Sequence, residues 1–219
     1  MKRLWRLIRQ MDRKKVRIIL LSLAGALAVA AAVVFAVLWN EGVSAGNNAQ
    51  AVLDASGITP GTSGASAADA ETPGGSPAGS PLPTLTPELQ GYTVVARIDI
   101  DKIGAHLPVL SKATKAALKV SVCYYEGAMP GEDGNMVITG HNYASGAHFG
   151  KLEQVAAGDT VLLTSRDGTT QTYTVYEIDH IRPDEPEALN DTEYARELTL
   201  LTCETQGNGR LVVRCHAET

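Results

Sequence analysis

The 22 residues from Ile18 to Trp39 carry no charge, and this run limits what the chain can become more than any other feature. As a helix it would be about 33 Å long, enough to cross a hydrocarbon layer of roughly 30 Å. The residues before it hold Lys2, Arg3, Arg6, Arg9, Arg13, Lys14, Lys15 and Arg17 against one acid, Asp12. Basic residues ahead of an apolar span place the amino terminus inside and everything after the span outside. The small residues of "VSA", Val43–Ala45, resemble a signal-peptide cleavage site. A signal peptide's apolar region, however, is only about 7–15 residues long. The expectation is a retained single-pass anchor, with 1–17 a cytoplasmic basic segment and 18–39 a transmembrane helix. No cysteine follows the run closely, which argues against a lipoprotein.

Past residue 17 the balance of charge reverses to a net of about −12. An acidic exported part argues against nucleic acid as a partner, while the basic head suits an anionic inner leaflet. Residues 40–88 are dominated by Ala, Gly, Ser, Thr and Pro, with almost no aromatic side chains. Such a composition buries too little apolar surface to offset its ordering entropy, so it reads as a flexible extracellular stalk. One domain remains, 89–219.

That domain reads as all-β. "YTVVARIDI" (Tyr92–Ile100) alternates and is β-branched, and "HLPVL" (His106–Leu110) is a second short strand. Thr114–Lys119 has the makings of one or two helical turns. Then come "VSVCYY", "NMVITGH", "DTVLLTS", "TQTYTVYEIDHI", "ELTLLTC" and "RLVVRC", each bounded by Gly, Pro, Asp or Asn. About eight short strands with little helix imply a closed or nearly closed barrel. The longest insert without strand character is Arg182–Arg196, just before the cysteine strand, where a loop is placed to recognise a substrate.

Three residues at strand ends carry the chemistry. Cys203 ends an apolar run, and a turn of Gly207, Asn208 and Gly209 separates it from Arg210, which opens the last strand. A thiol is mostly protonated at neutral pH and needs a cationic or basic neighbour to become a nucleophile. His141, closing the strand Asn135–Thr139 after Gly140, is the candidate. Acyl transfer also needs a donor for the developing oxyanion, and an arginine supplies one at any pH. Arg210 faces Cys203 across the hairpin mouth in this reading; Arg214, four residues on and on the same strand face, is its rival.

The contexts of these residues resemble the sortase family, membrane-anchored cysteine transpeptidases of Gram-positive bacteria. "TLLTC" (Thr199–Cys203) matches the family's T-L-x-T-C, "TGH" (Thr139–His141) follows a strand, and Arg210 is the first arginine after the cysteine. "PGEDGN" (Pro130–Asn135) and "FGKL" (Phe149–Leu152) support the match, which spans roughly Val94 to Val213. The resemblance implies an eight-stranded sortase-type barrel with short helices. It also implies that Cys203 attacks an LPxTG-like sorting signal on a surface protein. An amine, on a peptidoglycan precursor or a pilin lysine, then resolves the thioacyl-enzyme. His141, Cys203 and Arg210 would be catalytic, and Thr202 would line the substrate pocket. A single anchor and the lack of an Asp-Pro-aromatic lid lean towards a class A/D-like enzyme, yet "GHNYASGAHFGKL" is close to class B wording.

Other readings are weaker. Papain-like wall hydrolases place the cysteine before the histidine, and L,D-transpeptidases need an S-H-G-C that is absent. A zinc site from Cys123, Cys203, Cys215, His141 and His216 lacks ligand spacing. A non-catalytic adhesion module on a stalk is the alternative from another class, and a protease that only hydrolyses is the nearer one. No cofactor is expected. The acids Glu132, Asp133, Asp184, Glu185 and Glu187 are the residues a Ca²⁺ site would use, as in some class A relatives. His106, His148, His180 and His216 read as surface or turn residues. Cys123 and Cys215 lie on an oxidising exterior, where they either bridge or stay as two buried thiols.

Overall fold

The computed structural model describes residues 13–59, 91–182, 184–185, 189, 194–203 and 209–217. The basic residues of 1–12, most of the expected stalk, Glu187 and the Gly207–Asn208 turn lie outside them. The chain divides into two compact units, Met1–Glu41 and Gly42–Thr219.

In the first unit the charge-free run is helical, within helix α1 (Arg13–Ser56). Its Ile, Leu, Val and Phe side chains are exposed. Among the described residues, α1 is the helix long and apolar enough to cross a membrane.

In the second unit α1 goes on through residues where composition predicts a flexible stalk. Ala45, Ala49, Val52 and Leu53 are buried there, and so is Ile58 beyond the helix end. Positions 42, 45, 49 and 52 recur at three- and four-residue spacing, which aligns them on one helix face. Small residues bury little area each, but they let a helix lie close against a neighbour. The helix stops at Ser56, whose hydroxyl donates to the Leu53 carbonyl at 2.7 Å and accepts from the Ile58 amide at 3.3 Å.

The rest of this unit is built from β1 (Val94–Ile100), β2 (Ala105–Leu110), a short helix α2 (Ala117–Val120), β3 (Val122–Gly127) and β4 (Gly134–Thr139). β5 (Thr160–Ser165), β6 (Thr170–Ile181), β7 (Arg196–Cys203) and β8 (Arg210–Ala217) follow. They close into a barrel in the order β1-β2-β3-β4-β7-β8-β6-β5, with β1 pairing back onto β5. The pairs β2–β3 and β4–β7 are parallel and the others antiparallel.

Strand alternation explains the core. Ala96, Ile98 and Ile100 of β1, Met136 and Ile138 of β4, and Leu198 and Leu200 of β7 fill the barrel interior. Leu211, Val213 and Cys215 of β8 join them. Their neighbours in sequence face outward, as the two-residue side-chain period requires. β7 is buried on both faces over Glu197–Thr202 because Leu201 on its outer face is covered, packing with Val137, Val212, Ile181 and Leu189. α2 starts where the Thr114 hydroxyl accepts the Ala117 amide at 3.1 Å, a side-chain cap on a first-turn donor.

The barrel wall also accounts for the cysteines. Cys123, Cys203 and Cys215 are all free. Cys215 points into the barrel with Tyr173 and Val175, whereas Cys123 sits in a separate cluster with Leu110, Ala117 and Val120. The strands that carry them, β3 and β8, are not neighbours, so no bridge forms. Burial pushes the Cys123 thiol up to about 12 and raises that of Cys215 as well. Burial thus keeps both thiols protonated, which disfavours either as a nucleophile.

Candidate active site

Two stretches some sixty residues apart meet because β4 and β7 run side by side in the same direction. Their register pairs Thr139 with Leu201, so both strands arrive at one rim of the barrel with their carboxyl ends together. The ladder continues one step further, with the Gly140 amide donating to the Leu201 carbonyl at 3.1 Å. Gly140 has to be a glycine here. A Cβ on it would fall 2.7 Å from a Val122 methyl and 2.9 Å from the Phe149 ring, closer than carbon atoms tolerate. Phe149 is fully buried beneath this point, a placement that stabilises the rim by about 1.5–3 kcal/mol.

Two side-chain hydrogen bonds lash the two strand ends together, and a backbone bond closes the loop beside them. The buried Thr202 hydroxyl donates to the Gly140 carbonyl at 2.9 Å. The Asn142 side-chain Nδ2 donates to the Cys203 carbonyl at 2.8 Å. The Phe149 amide donates to the His141 carbonyl at 3.1 Å, closing the loop that leaves β4. Residues 139–142 are thereby held beside residues 201–203.

The third element comes from β8. With Leu198 and Leu200 facing inward, Cys203 falls on the outer face of β7; by the same alternation Arg210 and Arg214 lie on the outer face of β8. Cys203 and Arg210 are direct cross-strand partners, and Arg210 Nη1 donates to Cys203 Sγ at 2.6 Å. Arg214 is paired with Thr199 further up the strand, and its Nε sits 3.3 Å from the Glu177 carboxylate. It is almost fully buried. The two arginines share a face, but Arg210 is the one beside the thiol.

All four residues singled out from the sequence line one cleft of about 450 Å³, opened on the outer wall of the barrel: His141, Thr202, Cys203 and Arg210. Leu201, Ile181 and Leu189 form an apolar floor, and Ala113, Leu118, Tyr125 and Glu126 the opposite side. Arg182 and Glu185, from the start of the insert before β7, complete the rim. Cys203 is exposed, and His141 is half-buried. Burial, and then the nearby Lys119 charge, lower the His141 pKa, which favours the neutral ring. Thr202 lines the cleft, but its hydroxyl is turned inward to Gly140.

The remaining histidines differ. His106 is 44% exposed and lies 2.8 Å from Asp99, His180 is exposed, and His216 stacks on Tyr194 at 4.7 Å. His148 is not a surface residue: it is 2% exposed, beneath the His141 loop. Of the acids considered for calcium, Asp133 pairs with Arg196, and Asp184 and Glu185 pair with Arg182. Glu132 accepts the Met129 amide. Among the described residues no group of three or more His, Cys, Asp or Glu is arranged to hold a metal ion.

Sequence reasoning missed Asn142, Tyr143 and His148, which build the loop beneath His141. Tyr143 packs edge-on against both His141 and His148, at 5.3 and 5.2 Å between ring centroids. The signal that was present is the run of ring-bearing residues at 141, 143 and 148 around small ones.

Comparison with known proteins adds an independent line. A family model described as Sortase domain matches residues 98–218. A protein named sortase A from Streptococcus agalactiae serotype III is 30% identical over 139 residues, 57% of this chain and 52% of that protein. The chain thus spans about half the length of this curated relative. A solved Clostridium perfringens structure, described as a sortase D5 transpeptidase, is 29% identical with a TM-score of 0.53. The match covers 57% of this chain and 79% of that one. Sortase A from Corynebacterium diphtheriae is 31% identical with a TM-score of 0.54, over 58% of this chain and 62% of that one.

Proposed function

The chain belongs to the sortase family, and on that premise we propose that it is a cysteine transpeptidase acting on an LPxTG-like sorting signal. The observation that carries the reading is the contact of Arg210 Nη1 with Cys203 Sγ, 2.6 Å across the mouth of the β7–β8 hairpin, in the cleft that His141 lines. An arginine so placed favours negative charge on sulfur and, once substrate is bound, on the carbonyl oxygen under attack.

In this mechanism the Cys203 thiol passes its proton to His141 and attacks the carbonyl carbon of the residue before the scissile bond. The oxyanion of the tetrahedral intermediate is held by Arg210. Collapse expels the leaving amine, which takes the proton from His141, and leaves a thioester on Cys203. A second amine then attacks the thioester and restores the thiol, with its proton returned through His141. The lowered pKa of His141 fits a resting neutral imidazole, able to take the proton of the thiol. The apolar floor of Leu201, Ile181 and Leu189 suits the Leu-Pro portion of such a signal. The acceptor is a peptidoglycan-precursor or pilin amine. The charge-free part of α1 is the anchor, with the basic end cytoplasmic and the barrel outside.

Peptide cleavage followed by mass spectrometry tests the reading. Cys203→Ala should abolish turnover of LPxTG-like peptides while the barrel stays folded. Adding a peptide amine separates transfer from plain hydrolysis by the mass of the product. Retained turnover in the Cys203→Ala chain refutes the proposal, and absence of thiol-dependent turnover in the unsubstituted chain favours a binding module.

A further inference from the structure

Residues 42–53 of α1 lie against the loop that carries His141. A Cβ on Gly42 would come within 2.9 Å of the Ser145 Cβ and 3.2 Å of the Tyr143 Cβ, and one on Gly46 within 3.6 Å of the Ala147 Cβ. Only a glycine at 42 allows helix and loop to approach this closely. The loop answers with His148, whose Nε2 lies 3.3 Å from the Ala45 carbonyl and 3.2 Å from the Val120 carbonyl. Two acceptors facing one ring nitrogen place the proton there, so His148 joins the helix, the end of α2 and the His141 loop at a single atom.

This junction is held at a local cost. His148 has φ of +52°, alone among the described non-glycine residues in being positive. Its Nδ1 is buried without a hydrogen-bond partner among the described residues. Strain of this kind costs on the order of 1–3 kcal/mol and persists only where the surroundings enforce it. The surroundings lead to the active site. The His148 ring meets Tyr143 edge-on, Tyr143 meets His141 edge-on, and Asn142 bridges back to His148 through the backbone. Among the described residues no side chain hydrogen-bonds the His141 ring. The ring-on-ring contact of His141 is with Tyr143.

We propose that His148 is a positioning residue for His141, and that residues 42–53 of α1 are the buttress it leans on, so that docking of this helix segment sets the aim of the catalytic imidazole. The proposal rests on His141 being the proton-transfer group. It gives residues 42–53 a role in the reaction that their composition does not suggest.

The test uses the full chain in detergent with ¹³C-labelled histidine, reading both peptide turnover and the titration of the His141 ring by NMR. His148→Leu removes the donor at similar bulk, His148→Gln keeps an amide donor, and Gly42→Val leaves His148 in place while wedging helix from loop. His148→Leu and Gly42→Val should each lower kcat about 10- to 100-fold, the range of a small misplacement of a reacting group, with KM within about two-fold. His148→Gln should recover most of the loss. In the two damaged variants the His141 midpoint should rise, because water reaching the ring relieves the burial that now holds it down.

Unchanged kcat and an unchanged His141 midpoint in Gly42→Val and His148→Leu overturn the proposal. If His148→Leu does not fold, Gly42→Val decides alone. A chain that turns over no peptide at all would remove the proposed reaction, while the His141 titration would still show whether the helix segment positions the ring.

Discussion

Thr202 is 1% exposed, and its hydroxyl donates at 2.9 Å to the carbonyl of Gly140, itself buried. Two substitutions separate what the hydroxyl does from what the methyl does. Thr202→Val keeps the shape and leaves the Gly140 carbonyl buried without a partner, a loss of about 1–3 kcal/mol. Thr202→Ser keeps the bond and deletes one methyl, a loss of about 0.8 kcal/mol. Cys123 and Cys215 are both fully buried and free, so they report opening of the barrel in a Cys203→Ala background. With opening in rapid equilibrium and about 1.4 kcal/mol per factor of ten, Thr202→Val should speed their labelling about 5- to 150-fold. Thr202→Ser should speed it only about 4-fold. In the chain that keeps Cys203, Thr202→Val should also lower kcat more than it raises KM, since the Gly140 carbonyl it releases adjoins His141. If Thr202→Val labels no faster than its parent, or Thr202→Ser labels faster than Thr202→Val, the hydroxyl does not hold the two strand ends together.

Arg210→Ala should cost about 10²–10³ in kcat, as loss of an oxyanion donor does. Arg214→Ala should leave kcat within about three-fold and lower thermal stability instead, because it strips the partner from Glu177; turnover and melting curves showing the opposite ranking would reassign the arginine. A third expectation concerns acid. Burial lowers the His148 pKa from 6.5 to about 4 in the folded chain. Between those values the unfolded chain binds a proton that the folded one refuses, so stability falls as pH drops from 6.5 towards 4. For this residue the loss is about 3 kcal/mol, and it levels off below pH 4. Urea unfolding at pH 7 and pH 4 should show that part of the loss missing in His148→Gln; an equal loss there would place the acid sensitivity elsewhere.

How far the sequence discloses this molecule depends on whether a feature is local. Strands such as Thr170–Ile181 are legible because alternation and flanking turn residues are carried within the strand itself. Cys203, His141 and Arg210 are legible because each ends or begins a strand inside a recognisable local pattern. Choosing between Arg210 and Arg214 is a matter of pairing register, Cys203 with Arg210 and Thr199 with Arg214, which strand-face periodicity cannot decide. Residues 42–56 mislead for a different reason. A run of Ala, Gly, Ser and Asn has the composition of a tether, and its helix is stabilised by neighbours about a hundred residues away, at Tyr143–His148. The same distance hides His148, which in sequence is a histidine between Ala147 and Phe149 and in the fold is a buried junction.

Closure of the barrel bears on how a peptide can be gripped. β4, β7 and β8, the strands that carry the catalytic residues, are each paired on both sides, whereas β6 from Glu177 to Ile181 pairs with β8 alone. An extended chain arriving over β4, β7 and β8 finds no row of free amides and carbonyls along which to lie as an added strand, the device many peptide-binding proteins use to hold a backbone whatever its sequence. The wall offers side chains instead: the apolar patch of Leu201, Ile181 and Leu189, and the charges of Arg182, Glu185 and Glu126 at its margins. Over β4, β7 and β8 a surface of this kind rewards residue identity more than mere extendedness.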